Sequence, residues 1–319
     1  EEVVALRRLG FRFILLADDN FYPVTLDDLA QARRRKDTTR LHELEDIRQQ
    51  RFELMAALAE LPSDLNLYTQ ITMEAAEDPD FLDAMHRAHI RGALVGVESV
   101  TPEGLKAVFK DFNLAGDNLV TQLQAFRRHG VHVLGSFIFG LPTDRPETFA
   151  ATADVAQRAG ITFAQFVMLT PFPGTVDFAK WEQTSEPSYV DNVPMTRYWL
   201  IPSSKRPKLF APHPSMSSDE IRQGTQATWD AFYSLPVVWK RSACVKSLRA
   251  RLAFVMISKL YRQMYANTGI ATDSARHARS AKMARYLAKT VRTFFIAKPM
   301  PDLQVPASVS MPAAISRTA

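Results

Sequence analysis

The sequence holds a single cysteine, Cys244, in 319 residues. A lone thiol excludes an internal disulfide framework and fits a reducing, cytoplasmic setting. No run of about 18 apolar residues occurs, so no segment reads as a membrane-crossing helix. The apolar stretch 252–257, in the basic C-terminal half, is far too short. No signal-peptide pattern opens the chain, and no solenoid-length repeat recurs. The seven histidines form no metal-ligand cluster. His86 and His89 share a predicted helix, His129 and His132 flank Gly130, and all read as surface or core residues. A helix start is missing too. Residues 1–9 read as a helix in progress, with Val3, Leu6 and Leu9 on one face and Gly10 as its stop. No capping residue stands ahead of it.

What is present is an ordinary globular composition, 46% hydrophobic and 23% charged, with enough apolar material for a sizeable core. The net charge of +5 hides an asymmetry. Residues 240–298 carry 14 Lys or Arg and one acid, Asp273, leaving 25 basic and 33 acidic residues elsewhere. The core is therefore acidic, and the tail alone makes the protein basic.

Through residue 175, apolar strand-like runs alternate with helical ones. Strands are predicted at 11–17, 65–72, 93–97, 131–140 and 163–169, and helices at 41–61, 79–89, 119–129 and 147–159. This alternation predicts right-handed βαβ units and a parallel sheet covered on both faces. A helix precedes the first visible strand, so the natural count is six, with one strand expected upstream of Glu1. The fold class is α/β: an incomplete parallel (β/α)6 partial barrel with a C-terminal, mostly helical extension. The expected division is a barrel at 1–175, a basic helical extension at 176–298, and a proline-rich tail without fixed structure at 299–319.

In the extension, residues 181–216 read as irregular. Ser217 and Glu220 predict a capped helix to about residue 232. Amphipathic helices are expected at 237–266 and 273–296. On the first, Val245, Leu248, Leu252, Val255, Met256, Leu260 and Met264 form the apolar stripe, with Lys246, Arg249, Lys259 and Arg262 largely off it. Two readings stay open for this basic stretch: a solvated side of helices packed on the barrel, or peripheral docking on anionic headgroups. No aromatic-interleaved platform supports nucleic acid. Cys244 is expected to be a buried structural thiol.

Ligands of parallel α/β folds bind beyond the C-terminal ends of the strands. The polar and conformationally special residues fall there: Asp18, Asp19 and Asn20, then Gln70, Glu98 and Ser99, then Ser136, Ile138, Gly140 and Pro142, and finally residues 170–175. Each has a bland alternative. Residues 18–20 could be a turn that caps the next helix, and Glu98 could cap the helix after Pro102. Together on one face they suit a polar, partly sugar-like cofactor. Glu98 can accept from ribose hydroxyls, the 18–20 acids can pair with an ammonium group, and Gly140 permits close backbone approach to a base.

The runs 13–21 (FILLADDNF), 95–99 (VGVES), 135–142 (GSFIFGLP) and 169–175 (LTPFPGT) occur in an order and spacing that resemble the radical S-adenosylmethionine superfamily. The closest group is its branch with an N-terminal cobalamin-binding domain, which includes hopanoid-modifying enzymes. The resemblance implies S-adenosylmethionine, a [4Fe–4S] cluster and cobalamin as cofactors. It also implies methyl transfer to a lipid-like or other small-molecule substrate, and an electron donor such as a flavodoxin or ferredoxin. By position, it assigns Asp18, Asp19 and Asn20 to the methionine amino group. Glu98 and Ser99 take the ribose and carboxylate, and residues 136–140 the adenine, with Ser136 standing where the family has glycine. The family's cluster needs three cysteines in a Cys-x3-Cys-x2-Cys loop after the first strand. Cys244 lies far beyond the last barrel strand, so this chain lacks that loop. Its ligands are expected upstream of Glu1, while a cluster-free, degenerate barrel that binds a ligand or partner remains the other reading.

Overall fold

The computed structural model describes residues 1–110, 116–184, 189–202, 205, 213–266, 292 and 295–306. In chain order the first elements are α1 (Glu2–Arg8), β1 (Phe13–Leu15), α2 (Leu26–Arg35), α3 (Thr38–Ala59), β2 (Asn66–Ile71), α4 (Pro79–Arg87) and β3 (Ile90–Glu98). Next come α5 (Pro102–Ala107), α6 (Gly116–Arg128), β4 (His132–Phe139), α7 (Pro146–Arg158), β5 (Phe163–Met168) and α8 (Val176–Thr184). The hairpin β6 (Tyr189–Val190) and β7 (Val193–Pro194) is followed by α9 (Ser218–Phe232), α10 (Leu235–Arg241) and α11 (Leu248–Ala266).

Among the described residues one sheet has five strands in the sequential order β1-β2-β3-β4-β5. The pairs β1–β2, β2–β3 and β4–β5 are parallel. This is the α/β architecture that the alternation predicts, with a helical C-terminal region. The chain divides into two compact units, residues 1–95, 125–133 and 288–319, and residues 96–124 and 134–287. Strand β5 and the helices after residue 176 thus share a unit.

In the first unit, α2 escapes the sequence pattern because it has few apolar residues. A capping box starts it: Thr25 accepts from the Asp28 N–H, and Asp28 accepts from the Thr25 N–H. Arg7 of α1 is buried and donates to Asp64 at 3.2 and 2.9 Å and to the Lys298 carbonyl at 2.8 Å. The proline-rich stretch forms no helix over 299–306, yet it is pinned to α1, with Arg8 donating to the Leu303 carbonyl at 2.8 Å. Residues 307–319 lie outside the described residues.

In the second unit, β4 and β5 each bury alternate residues. Phe137, Phe139 and Phe166 pack under α7 and α9 with Phe149, Trp229 and Phe232. Among the described residues strand β5 is last in the sheet order, so one edge has no further strand to pair with. Side chains of the extension take that place. The Tyr233 hydroxyl accepts from the Ala164 N–H at 3.0 Å and donates to the Ala164 carbonyl at 2.8 Å. Trp229 donates to the Phe166 carbonyl at 2.7 Å, and Arg241 to the Thr162 carbonyl at 2.6 Å. Satisfying edge groups in this way also blunts a template for pairing with other chains.

Three expectations for the extension are corrected. The helix expected over 237–266 is two helices, because a turn at Ser242–Cys244 and an extended Val245 separate α10 from α11. A new start follows, with the Ser247 hydroxyl accepting from the Ala250 N–H at 3.1 Å. Cys244 is exposed, not buried. The inward face of α11 carries Phe254, Ser258 and Arg262, while Leu248, Leu252 and Met264 of the expected stripe are exposed. Aromatic and polar partners decide this: Phe254 lies 5.6 Å from Phe163, and Arg262 sits over Trp229 and donates to Asp230 at 3.1 Å. Of the second expected helix, residues 273–291 lie outside the described residues.

Candidate functional site

The loop after β1 carries Asp18, Asp19 and Asn20 in the first unit. Asp18 accepts from Arg51 of α3 at 2.8 Å, and the Arg51 guanidinium lies over the Phe21 ring at 4.5 Å. Asn20 is occupied locally. Its amide donates to the Tyr22 carbonyl at 2.9 Å, and its carbonyl accepts from the Tyr22 N–H at 3.1 Å. These residues do not cap α2, since Thr25 does. Asp19 is exposed and, among the described residues, has no side-chain partner. The Gln70 carbonyl accepts from the Phe21 N–H at 2.8 Å, which ties this loop to the end of β2 and leaves the Gln70 side chain exposed. Tyr22 anchors the loop from below: its hydroxyl donates to the buried Asp78 at 3.0 Å, which also pairs with Arg48 at 2.6 Å. Burial, and then the Asp78 charge, push the Tyr22 phenol upward, so it stays protonated and donates.

The end of β3, in the second unit, is the most constrained point. Glu98 has φ of 66°, and the Ser99 N–H donates back to the Val97 carbonyl at 2.9 Å. This is a γ-turn with positive φ at its centre, the rare hand. A non-glycine residue held there costs about 1–3 kcal/mol, and such outliers gather at functional sites. The Glu98 side chain folds back over Gly96. A Cβ at Gly96 would meet Glu98 Oε1 at 2.6 Å and Lys110 Nζ at 3.0 Å, so a side chain there would push the ends of both away from their present positions. Lys110 donates to Glu98 Oε1 at 2.9 Å and to the Gly96 carbonyl at 3.2 Å. Glu98 does not cap α5. Thr101 does so, accepting from the Gly104 N–H at 3.1 Å, with Ser99 buried against it.

Beyond β4, Gly140 turns with φ of 89°, and Asp144 ties the turn together. Its Oδ2 accepts from the Gly140 and Leu141 N–H groups at 2.8 and 3.1 Å. Burial pushes the Asp144 carboxyl upward, opposed by those two hydrogen bonds and by His213. A carboxyl raised in the fold contributes most to stability at low pH, and that contribution is lost as pH rises through the folded value. The same turn is held from outside by His213, whose Nε2 bonds the Leu141 carbonyl at 2.8 Å. Its Nδ1 accepts from the Ser215 and Met216 N–H groups. Pro142 is exposed and Ile138 half-buried. The Ser136 hydroxyl accepts from Gln165 at 2.8 Å, and Gln165 in turn accepts from Tyr265 of α11.

Asp18, Asp19, Asn20 and Gln70 thus belong to one unit, and Glu98, Ser99, Ser136, Ile138, Gly140 and Pro142 to the other. Sequence reasoning missed Arg51, Lys110, Asp144 and Tyr265. Only Asp144 left a signal, a turn-forming residue closing the stretch Gly140-Leu141-Pro142. The residues present do not fit a [4Fe–4S] cluster, which needs several thiolates; the chain has one cysteine, exposed and on the extension. They do fit a ribose-bearing ligand, because the Glu98 carboxylate occupies a space kept clear by Gly96.

No family model matches the chain. A bacteriochlorophyllide d C-12(1)-methyltransferase of Chlorobaculum tepidum is 32% identical over 126 residues, 40% of this chain and 27% of that protein. A hopanoid C-2 methylase of Rhodopseudomonas palustris is 26% identical over 138 residues, 43% of this chain and 26% of that protein. The chain therefore matches less than a third of the length of these curated relatives. A solved structure, a radical S-adenosylmethionine methyltransferase of Kitasatospora setae with cobalamin and a [4Fe–4S] cluster bound, is 15% identical. It aligns with 82% of this chain and 55% of its own, with a TM-score of 0.49. The match to a hopanoid methylase agrees with the branch named from the four sequence runs.

Proposed function

We propose that this chain is the S-adenosylmethionine-binding core of a radical S-adenosylmethionine enzyme, and that the whole protein transfers a methyl group to a lipid-like or other small molecule. The observation that carries this reading is Glu98, held at a strained φ over Gly96 at the C-terminal end of a parallel strand. When bound, S-adenosylmethionine and its cluster supply the radical and the methyl group. The chain's own residues bind and orient. Glu98 accepts from the ribose hydroxyls. The Gly140 turn brings backbone close to the adenine, and Ile138 and Pro142 offer apolar walls. Cluster thiolates and cobalamin contacts belong to parts of the protein outside these residues. An electron donor of the flavodoxin or ferredoxin kind and a cytoplasmic setting go with this reading.

The test is isothermal titration calorimetry of the chain with S-adenosylhomocysteine. Binding is expected, and Glu98→Gln is expected to weaken it about tenfold or more, the size of a hydrogen bond to a charged group. Absence of binding by a folded wild-type chain overturns the proposal.

A second, compatible reading concerns the membrane surface. No helix among the described residues is long and apolar enough to cross a bilayer. On α11, however, Leu248 and Leu252 are exposed beside exposed Lys246 and Arg249, which suits shallow insertion among anionic headgroups. Fewer charges are available than the sequence suggests, because Arg241, Arg251 and Arg262 donate inward. Wild-type chain is expected to co-sediment with phosphatidylserine vesicles, and Leu252→Asp to stay in the supernatant. Equal sedimentation of the two removes this reading.

A further inference from the structure

We infer that Lys110 is a positioning residue that, with Glu98, makes the site selective for a vicinal diol. The inference rests on the reading of Glu98 as the ribose acceptor and deepens it. Three observations converge. The γ-turn fixes the Glu98 backbone at φ of 66°. Gly96 leaves a space into which the carboxylate folds, and a Cβ there would stand 2.6 Å from Oε1. Lys110 then locks that geometry by donating to both Glu98 Oε1 and the Gly96 carbonyl.

The chemistry of the pair follows from counting donors and acceptors. An ammonium group has three N–H donors. Lys110 uses two, at 2.9 and 3.2 Å, and one remains. Glu98 commits Oε1 to Lys110, and its Oε2 accepts no hydrogen bond among the described residues. A free acceptor therefore lies beside a free donor. Two adjacent hydroxyls satisfy both at once: one donates to Oε2, and the other accepts from the ammonium while turning its own proton elsewhere. A single hydroxyl, which can donate and accept, meets both only from a point between Oε2 and Nζ, whereas two adjacent hydroxyls give each atom a partner of its own. Both side chains stay partly accessible, at 18% for Glu98 and 30% for Lys110, so a ligand can reach them. Lys110 touches Glu98 by a single charge-assisted contact and a backbone carbonyl, which fixes the rotamer of a side chain whose backbone is already fixed.

The test compares adenosine, 2′-deoxyadenosine and 3′-deoxyadenosine binding to the wild-type chain and to Lys110→Met by equilibrium dialysis, with circular dichroism to verify the fold. Wild type is expected to prefer adenosine over either deoxynucleoside. Lys110→Met is expected to lose about tenfold in affinity for adenosine and for the deoxynucleoside that keeps the lysine-facing hydroxyl, the scale of one charged hydrogen bond, and to bind the other deoxynucleoside nearly as wild type does. Lys110→Arg is expected to recover part of the preference. Gly96→Ala, which keeps the lysine but fills the space beneath the pair, is expected to reproduce the diol-specific loss and serves where Lys110→Met does not fold. Unchanged adenosine preference in both Lys110→Met and Gly96→Ala overturns the role of Lys110 while leaving the ribose reading standing. Failure of the wild type to distinguish adenosine from its deoxy forms overturns both.

Discussion

Replacing Trp229 with alanine is expected to destabilise the second unit by about 3–5 kcal/mol, the cost of deleting a large aromatic ring from a packed core. Trp229 is fully buried. Its ring stacks with Tyr233 at 5.3 Å and meets Phe166 edge-on at 5.5 Å. Its indole N–H donates to the Phe166 carbonyl on the open edge of β5 at 2.7 Å. It also forms the surface on which Arg262 lies, 5.1 Å from the ring. The alanine variant would therefore open a cavity, orphan a buried carbonyl and strip a buried guanidinium of its platform. Trp229→Phe separates these effects. It keeps most of the ring and loses the hydrogen bond, at about 1–3 kcal/mol for the unsatisfied carbonyl. Urea unfolding followed by far-ultraviolet circular dichroism measures both, and a smaller loss for alanine than for phenylalanine would refute the packing argument. Because the variant bares an edge strand, aggregation above the wild-type level is expected alongside the lower midpoint.

The same edge explains what could and could not be read from the sequence. The parallel order was legible, because near-continuous apolar strands such as 163–168 alternate with capped helices such as Ser218–Phe232. The capping box of that helix, Ser217 with Glu220, was visible as spacing alone. Hydrogen bonds that replace a missing strand were not visible. Nothing about Tyr233 or Arg241 in sequence says that their polar ends finish on Ala164 and Thr162. Arg241 illustrates why the charge count misled. Burial lowers its guanidinium to about 10, yet it remains charged at neutral pH and is held by carbonyls and the Phe232 ring at 3.7 Å. A charge that reads as solvated is thus an internal clamp. At the site, Glu98 and Gly140 were legible from motif position. Lys110 was not, because 12 residues and a helix separate it from its partner. Asn20 was legible as a turn residue or a ligand, and the structure shows its amide already bonded to Tyr22.

Asp78→Ala is the other substitution with a large expected effect, about 3–5 kcal/mol, because it leaves a half-buried cation without its counter-charge. Asp78 is 2% exposed. One carboxylate oxygen takes both Arg48, at 2.6 Å, and the Tyr22 hydroxyl, at 3.0 Å. The other accepts from the Phe81 N–H at 3.2 Å and so starts α4. Removing it strands two donors, the Tyr22 hydroxyl and the Phe81 N–H, and leaves the Arg48 cation without its ion-pair partner. Tyr22→Phe is the contrast, since it removes only the phenol and leaves the ion pair, at about 1 kcal/mol. The consequence extends to the loop after β1. Tyr22 is bracketed by the Asn20 side chain, so slack at Tyr22 passes to the loop that presents Asp19. Urea unfolding followed by far-ultraviolet circular dichroism measures the loss, and an Asp78→Ala variant as stable as Tyr22→Phe would refute it. A double-mutant cycle with Tyr22→Phe then apportions the network, because residues sharing one carboxylate oxygen are expected to be strongly non-additive.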